Sequence, residues 1–77
     1  MKLKIFGKLT DIFKTNEYIF SLENLTSVAE LKLMLEKEFP TLKETTYLIA
    51  VDGAKAGNTQ EISNASEIAL LPPYSGG

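Results

Sequence analysis

The stretch Ser27-Val28-Ala29-Glu30, followed by an apolar stripe at helical spacing, limits what this chain can fold into. Ser27 and Glu30 form an S-x-x-E capping box, in which each side chain satisfies a backbone amide that a starting helix leaves free. Val28, Leu31, Met34, Leu35 and Phe39 then share one face, while Glu30, Lys32, Glu36 and Lys37 lie largely outside it. Leu33 falls off the stripe, with no role beyond helix propensity. Pro40 stops the helix, because the residue before a proline is pushed out of the α region. At 77 residues the chain holds a single modest core, burying roughly 60–65% of its unfolded surface. The remaining apolar segments must therefore pack against this one helix.

Those segments read as strands. Lys2-Leu3-Lys4-Ile5-Phe6 alternates, with Leu3 and Ile5 inward and Lys2, Lys4 and Phe6 outward, and Gly7 ends the run. Within Lys8 to Asn16, the spacing of Leu9, Ile12 and Phe13 predicts a short helical turn. Glu17 to Leu22 is rich in aromatic and β-branched residues and predicts a second strand. Thr45 to Val51 is apolar on both parities, as a central strand would be, and Asp52-Gly53 is a turn signal. Ala54 to Ser66 is polar and small, with Gly57-Asn58 a second turn and room only for a short strand. Glu67 to Leu71 predicts a final strand, Ile68 and Leu70 inward and Ala69 and Leu71 outward, halted by Pro72-Pro73. Two outer strands crossing over one helix predict an α+β architecture, a mixed sheet packed on that main helix. The element order resembles the ubiquitin-like β-grasp fold, and the strand order is taken by analogy with it. The expected organisation is a single domain over residues 1–77, with 72–77 a flexible C-terminal tail.

Composition removes most chemistry. Without cysteine there is no disulfide scaffold, zinc ribbon, thiolate nucleophile or iron–sulfur site, and without histidine the commonest general base and metal ligand is gone. No metal site is expected. All eight cations are lysines, and a net charge of −2 without a basic cluster argues against nucleic acid. No apolar run approaches the roughly 20 residues needed to cross a bilayer, and no signal peptide is evident, so a soluble, cytoplasmic protein without a membrane partner is expected. Glu36 and Glu38 are alternate helix positions that do not face each other and read as solvated. Asp52 reads as a turn residue, and no G-x-G-x-x-G or P-loop spacing occurs. The chain is not expected to be catalytic alone.

The candidate chemistry lies at Gly76-Gly77. Average glycine usage gives a random chain two terminal glycines with a probability of about 0.5%. Two residues without side chains can thread a narrow channel, leaving the α-carboxylate as the one reactive group. A carboxylate is a poor electrophile, so a partner must activate it, for example as an acyl-adenylate. Pro72-Pro73 favours an extended conformation that projects the tail. If the first and last strands are neighbours, Phe6, Ala69 and Leu71 make an exposed apolar patch beside that tail, of the kind that meets a partner.

Leu70-Leu71-Pro72-Pro73-Tyr74-Ser75-Gly76-Gly77 closely resembles the terminal signature of the molybdopterin synthase small subunit: two apolar residues, Pro-Pro, two variable residues, Gly-Gly. Lys2 to Phe6 is similar to that family's first strand, Ser27-Val28-Ala29-Glu30-Leu31 to its helix start, Ala50-Val51-Asp52 to its Ala-Val-Asn, and Glu67-Ile68-Ala69 to the triplet before its tail. Asp52 in place of Asn, and Asn64-Ala65-Ser66 in place of an Asp-Gly-Asp turn, are departures confined to turns. The resemblance implies a sulfur carrier in molybdenum cofactor biosynthesis. A ubiquitin-activating-type adenylyltransferase would use ATP to adenylate Gly77, and a sulfur relay would convert it to a thiocarboxylate. The tail would then enter the large subunit of molybdopterin synthase and donate sulfur to a cyclic pyranopterin phosphate precursor. On this resemblance Phe6, Ala69, Leu71, Pro72 and Pro73 meet the partner, Tyr74, Ser75 and Gly76 insert, and the catalytic residues belong to the large subunit. No cofactor would be bound, ATP being consumed by the activating partner, and two small subunits would join a large-subunit dimer as a heterotetramer. A thiamine-pathway sulfur carrier, a ubiquitin-like protein modifier and a plain interaction module are the alternative readings.

Overall fold

The alternating run near the start becomes strand β1 (Lys2–Ile5), with Leu3 and Ile5 buried and Lys2 and Lys4 exposed. The computed structural model describes residues 1–21, 26–63 and 67–73. Beyond β1 come helix α1 (Leu9–Phe13), strand β2 (Glu17–Ile19), helix α2 (Val28–Glu38), a 3-10 helix (Pro40–Glu44), and strands β3 (Leu48–Val51), β4 (Ala54–Lys55) and β5 (Ile68–Leu71). Leu22, at the end of the expected second strand, and Asn64-Ala65-Ser66 lie outside the described residues.

The capping box forms as its spacing predicts. Ser27 Oγ accepts from the Glu30 amide at 3.3 Å, and Glu30 Oε1 accepts from the amides of Ser27 at 3.1 Å and Thr26 at 2.8 Å. The Thr26 hydroxyl also donates to Glu30 Oε1 at 2.7 Å. Those bonds, with Thr26 foremost, hold the Glu30 carboxyl below its ordinary value. The amides of Val28 and Ala29 reach the carbonyls of Gln60 and Asn58, so the loop before β5 closes the rest of the helix start. Val28, Leu31 and Leu35 are buried, Met34 and Phe39 partly so, and Leu33 is 71% exposed.

Pro40 ends α2 and opens the 3-10 helix, which buries Leu42. The Thr45 amide bonds back to the Leu42 carbonyl, which delays β3 to Leu48, three residues later than the apolar run alone predicts. Phe13, Tyr18 and Phe39 form an aromatic cluster under this corner, with ring centroids 4.2 to 5.6 Å apart. Glu36 is not merely solvated, since it accepts the Tyr47 hydroxyl at 2.5 Å.

Among the described residues five strands make one mixed sheet in the order β2-β1-β5-β3-β4. β1 and β5 run parallel, with Leu3 opposite Ile68 and Ile5 opposite Leu70, and the other pairs are antiparallel. Leu3, Ile5, Ile49, Val51, Ile68 and Leu70 form the inner face and pack with Val28, Leu31 and Leu35 of α2. Asp52 (φ 52°) and Gly53 (φ 84°) turn β3 into β4, and the Asp52 carboxylate accepts the Glu67 amide at 2.8 Å. No helix among the described residues is long and apolar enough to cross a membrane.

Candidate functional site

Period-two alternation in β1 and β5 determines the outer face of the sheet. The Phe6 amide donates to the Leu70 carbonyl at 3.0 Å, which carries the parallel pairing one residue past β1 and sets Phe6 beside Leu71. Phe6 is 45% exposed and is not covered by α1, which turns Leu9 and Phe13 into the core instead. Ala69 and Leu71 are half-buried on the same face. The structure thus brings Phe6, Ala69 and Leu71 together, as alternation plus adjacency of the outer strands predicts.

Two contributors escape a reading of the sequence alone. Leu48 lies opposite Leu71, and Ala50 opposite Ala69, so β3 extends the apolar surface by a third strand. Both strand parities of β3 are apolar, and only the register tells which residues face outward. Phe6 stands between two open concavities. One, of about 320 Å³, is lined by Lys4, Ile5, Phe6, Asn16 and Glu17. The other, of about 220 Å³, lies over Ala50 and Ala69, beside Lys4 and Glu67.

Gly7 is a third unpredicted participant. Its φ is +61°, and a Cβ added there would lie 3.0 Å from Pro72 Cγ and 3.5 Å from its Cδ. The first proline of the tail therefore rests on a bare stretch of backbone, and both Pro72 and Pro73 are half-buried. A glycine ending a strand is the signal in the sequence, but it reads equally well as simple termination. Tyr74, Ser75, Gly76 and Gly77, the expected insertion segment and reactive end, lie outside the described residues.

The outer face carries charge at its margins. Lys2 pairs with Glu17 at 3.4 Å, an exposed ion pair of small energetic consequence. Lys4 faces outward between Glu17 of β2 and Ala69 of β5. Among the described residues no group of three or more carboxylate, histidine or cysteine side chains is gathered to hold a metal ion. What the described residues build is a partly exposed apolar face leading into Pro72-Pro73.

The sequence profile of the ThiS family matches residues 3–77. The chain belongs to the ThiS family. This ThiS-family chain is 30% identical over 81 residues to the molybdopterin synthase sulfur carrier subunit of Caenorhabditis briggsae, covering 100% of this chain and 96% of that protein. The resemblance drawn from the tail signature and helix start thus extends over the whole chain. Among solved structures, a Pyrococcus furiosus protein provisionally assigned as molybdopterin converting factor, subunit 1, matches with a TM-score of 0.85. It is 20% identical, with 95% of each chain covered. The small archaeal modifier protein 1 of Haloferax volcanii matches with a TM-score of 0.78 at 17% identity, again over 95% of each chain. At these identities the structural likenesses establish the fold, which is ubiquitin-like β-grasp.

Proposed function

We propose that this ThiS-family protein is a cytoplasmic sulfur carrier that works as the small subunit of molybdopterin synthase. Its whole-length likeness to a sulfur carrier subunit of that enzyme carries the reading. The Pro72-Pro73-Tyr74-Ser75-Gly76-Gly77 tail and the outer-face patch that leads into Pro72 support it.

In this reading the Gly77 carboxylate attacks the α-phosphorus of ATP on a ubiquitin-activating-type adenylyltransferase, releasing pyrophosphate and leaving an acyl-adenylate. The outer sulfur of a persulfide on a relay protein then displaces AMP to give an acyl disulfide. A second thiol attacks the relay protein's sulfur, forming a protein disulfide and leaving Gly77 as a thiocarboxylate. Tyr74, Ser75 and Gly76 lead that group into the large synthase subunit, where its sulfur attacks a carbon of a cyclic pyranopterin phosphate precursor and displaces the phosphate oxygen from that carbon, opening the cyclic ester. Hydrolysis of the resulting acyl link returns the Gly77 carboxylate and leaves the sulfur on the product. Phe6, Ala69, Leu71, Pro72 and Pro73 hold the two proteins together, two small subunits serving one large-subunit dimer. A chain without arginine or histidine leaves recognition of the phosphorylated substrate to its partner.

The test is the intact mass of the protein after incubation with the activating enzyme, ATP and a sulfur donor. One oxygen should be exchanged for sulfur, and deleting Gly77 or extending the chain past it should abolish the exchange without unfolding the domain. Full activity from an extended chain would overturn the reading. So would capture by thiazole synthase in place of the large synthase subunit, or covalent adducts on cellular lysines.

A further inference from the structure

Four residues on four adjacent strands form one row across the outer face. Lys4 of β1 lies opposite Ala69 of β5, Ala69 opposite Ala50 of β3, and Ala50 opposite Lys55 of β4. With strands about 4.8 Å apart, the two lysine Cα atoms stand about 14 Å from each other. Between them half-buried Ala69 and Ala50, only 8% exposed, line the 220 Å³ concavity as a low floor. The next row toward the tail, Phe6, Leu71 and Leu48, is taller and apolar, and Phe6 from this row lines the concavity. Glu67 lines the opposite end.

Charge around this floor is unevenly committed. Glu17, the acid beside Lys4, is paired with Lys2, and no ion pair among the described residues engages Lys4 or Lys55. Both lysines are exposed. Apolar contact alone has no direction, so it could seat a partner in several rotations, whereas charges at fixed spacing select one. A tail that must enter a channel needs a single rotation.

We propose that the outer face receives one apolar side chain of the partner on the Ala50–Ala69 floor, flanked by two partner carboxylates that meet Lys4 and Lys55. Glu67 repels an acid at its own end, which confines the carboxylates to the two lysine sides. The inference rests on the sulfur-carrier reading for the identity of the partner, the large subunit of molybdopterin synthase, and adds the chemistry of the surface that docks.

Binding of the full-length protein to the recombinant large subunit of the same organism tests it, with salt concentration as a second axis. Lys4→Gln combined with Lys55→Gln should weaken binding about tenfold at low salt and flatten its salt dependence, because the steering charges are removed. Ala69→Leu, which fills the floor from the solvent side, should weaken binding by a similar factor and keep the salt dependence. If these variants keep the wild-type dissociation constant and salt slope while Phe6→Asp loses binding, the apolar seat with its two carboxylates is wrong and the sulfur-carrier reading stands. If the unaltered protein does not bind the large subunit at all, that reading fails and takes the inference with it.

Discussion

Tyr47 shows how one residue joins elements that local pattern keeps apart. Its hydroxyl donates to Glu36 on α2, and Lys32 Nζ lies 5.9 Å from its ring centroid while bonding Asn58 at 2.9 Å. Partial burial, reinforced by the bond to Glu36 and that carboxylate's charge, pushes the phenol well above its ordinary value near 10. Because the raised value belongs to the folded state, this contribution to stability is complete below pH 10 and is lost as pH climbs through the folded value. The tyrosinate absorbance difference between the wild type and Tyr47→Phe should therefore have its midpoint above pH 10. At neutral pH the substitution should cost about 0.5–1.5 kcal/mol, toward the low end at a half-exposed site. The Tyr47–Glu36 pair was not legible in the sequence, because the two meet across a helix and a strand approach whose placement no local pattern supplies. Phe6 was legible, since alternation alone turns it away from Leu3 and Ile5. Gly7 and Pro72 were legible singly as a strand end and a strand stop, and their contact was not.

At the scale of elements, α2 is the best-determined part of the chain because its start is coded twice, once by Ser27 and once by Glu30. Its acid response follows from Glu30. A carboxyl held below its ordinary value adds stability that is present above about pH 4.5 and is lost as pH falls through the lowered folded value. Glu30→Gln should thus flatten the acid side of a stability-versus-pH curve measured by denaturant titration. Ser27→Ala should cost about 1 kcal/mol at neutral pH. The strands were harder to delimit. Thr45 to Thr46 has strand-like composition, yet the turn closing on Leu42 claims it, and the two-residue β4 exists only because Asp52 and Gly53 fold it back on β3. The outer contributions of Leu48 and Ala50 depend on that register.

For the molecule as a whole, the decisive feature is the position of β5, between β1 and β3. Leu70 is fully buried there, and Leu70→Ala should cost about 2–5 kcal/mol, against roughly 4–12 kcal/mol for a domain of this size. The midpoint of denaturant unfolding should fall accordingly. The strand order came from analogy with a known fold, because nothing local in the sequence states which strands are neighbours. Since β5 runs straight into Pro72, that proline and the apolar outer-face patch beside it share one foundation, residues 2–5 and 48–51 on either side. A copy with a disrupted sheet therefore loses the position of Pro72 and the apolar patch together. On the sulfur-carrier reading we propose, integrity of the sheet would act as a built-in inspection step, reserving sulfur for copies able to deliver it.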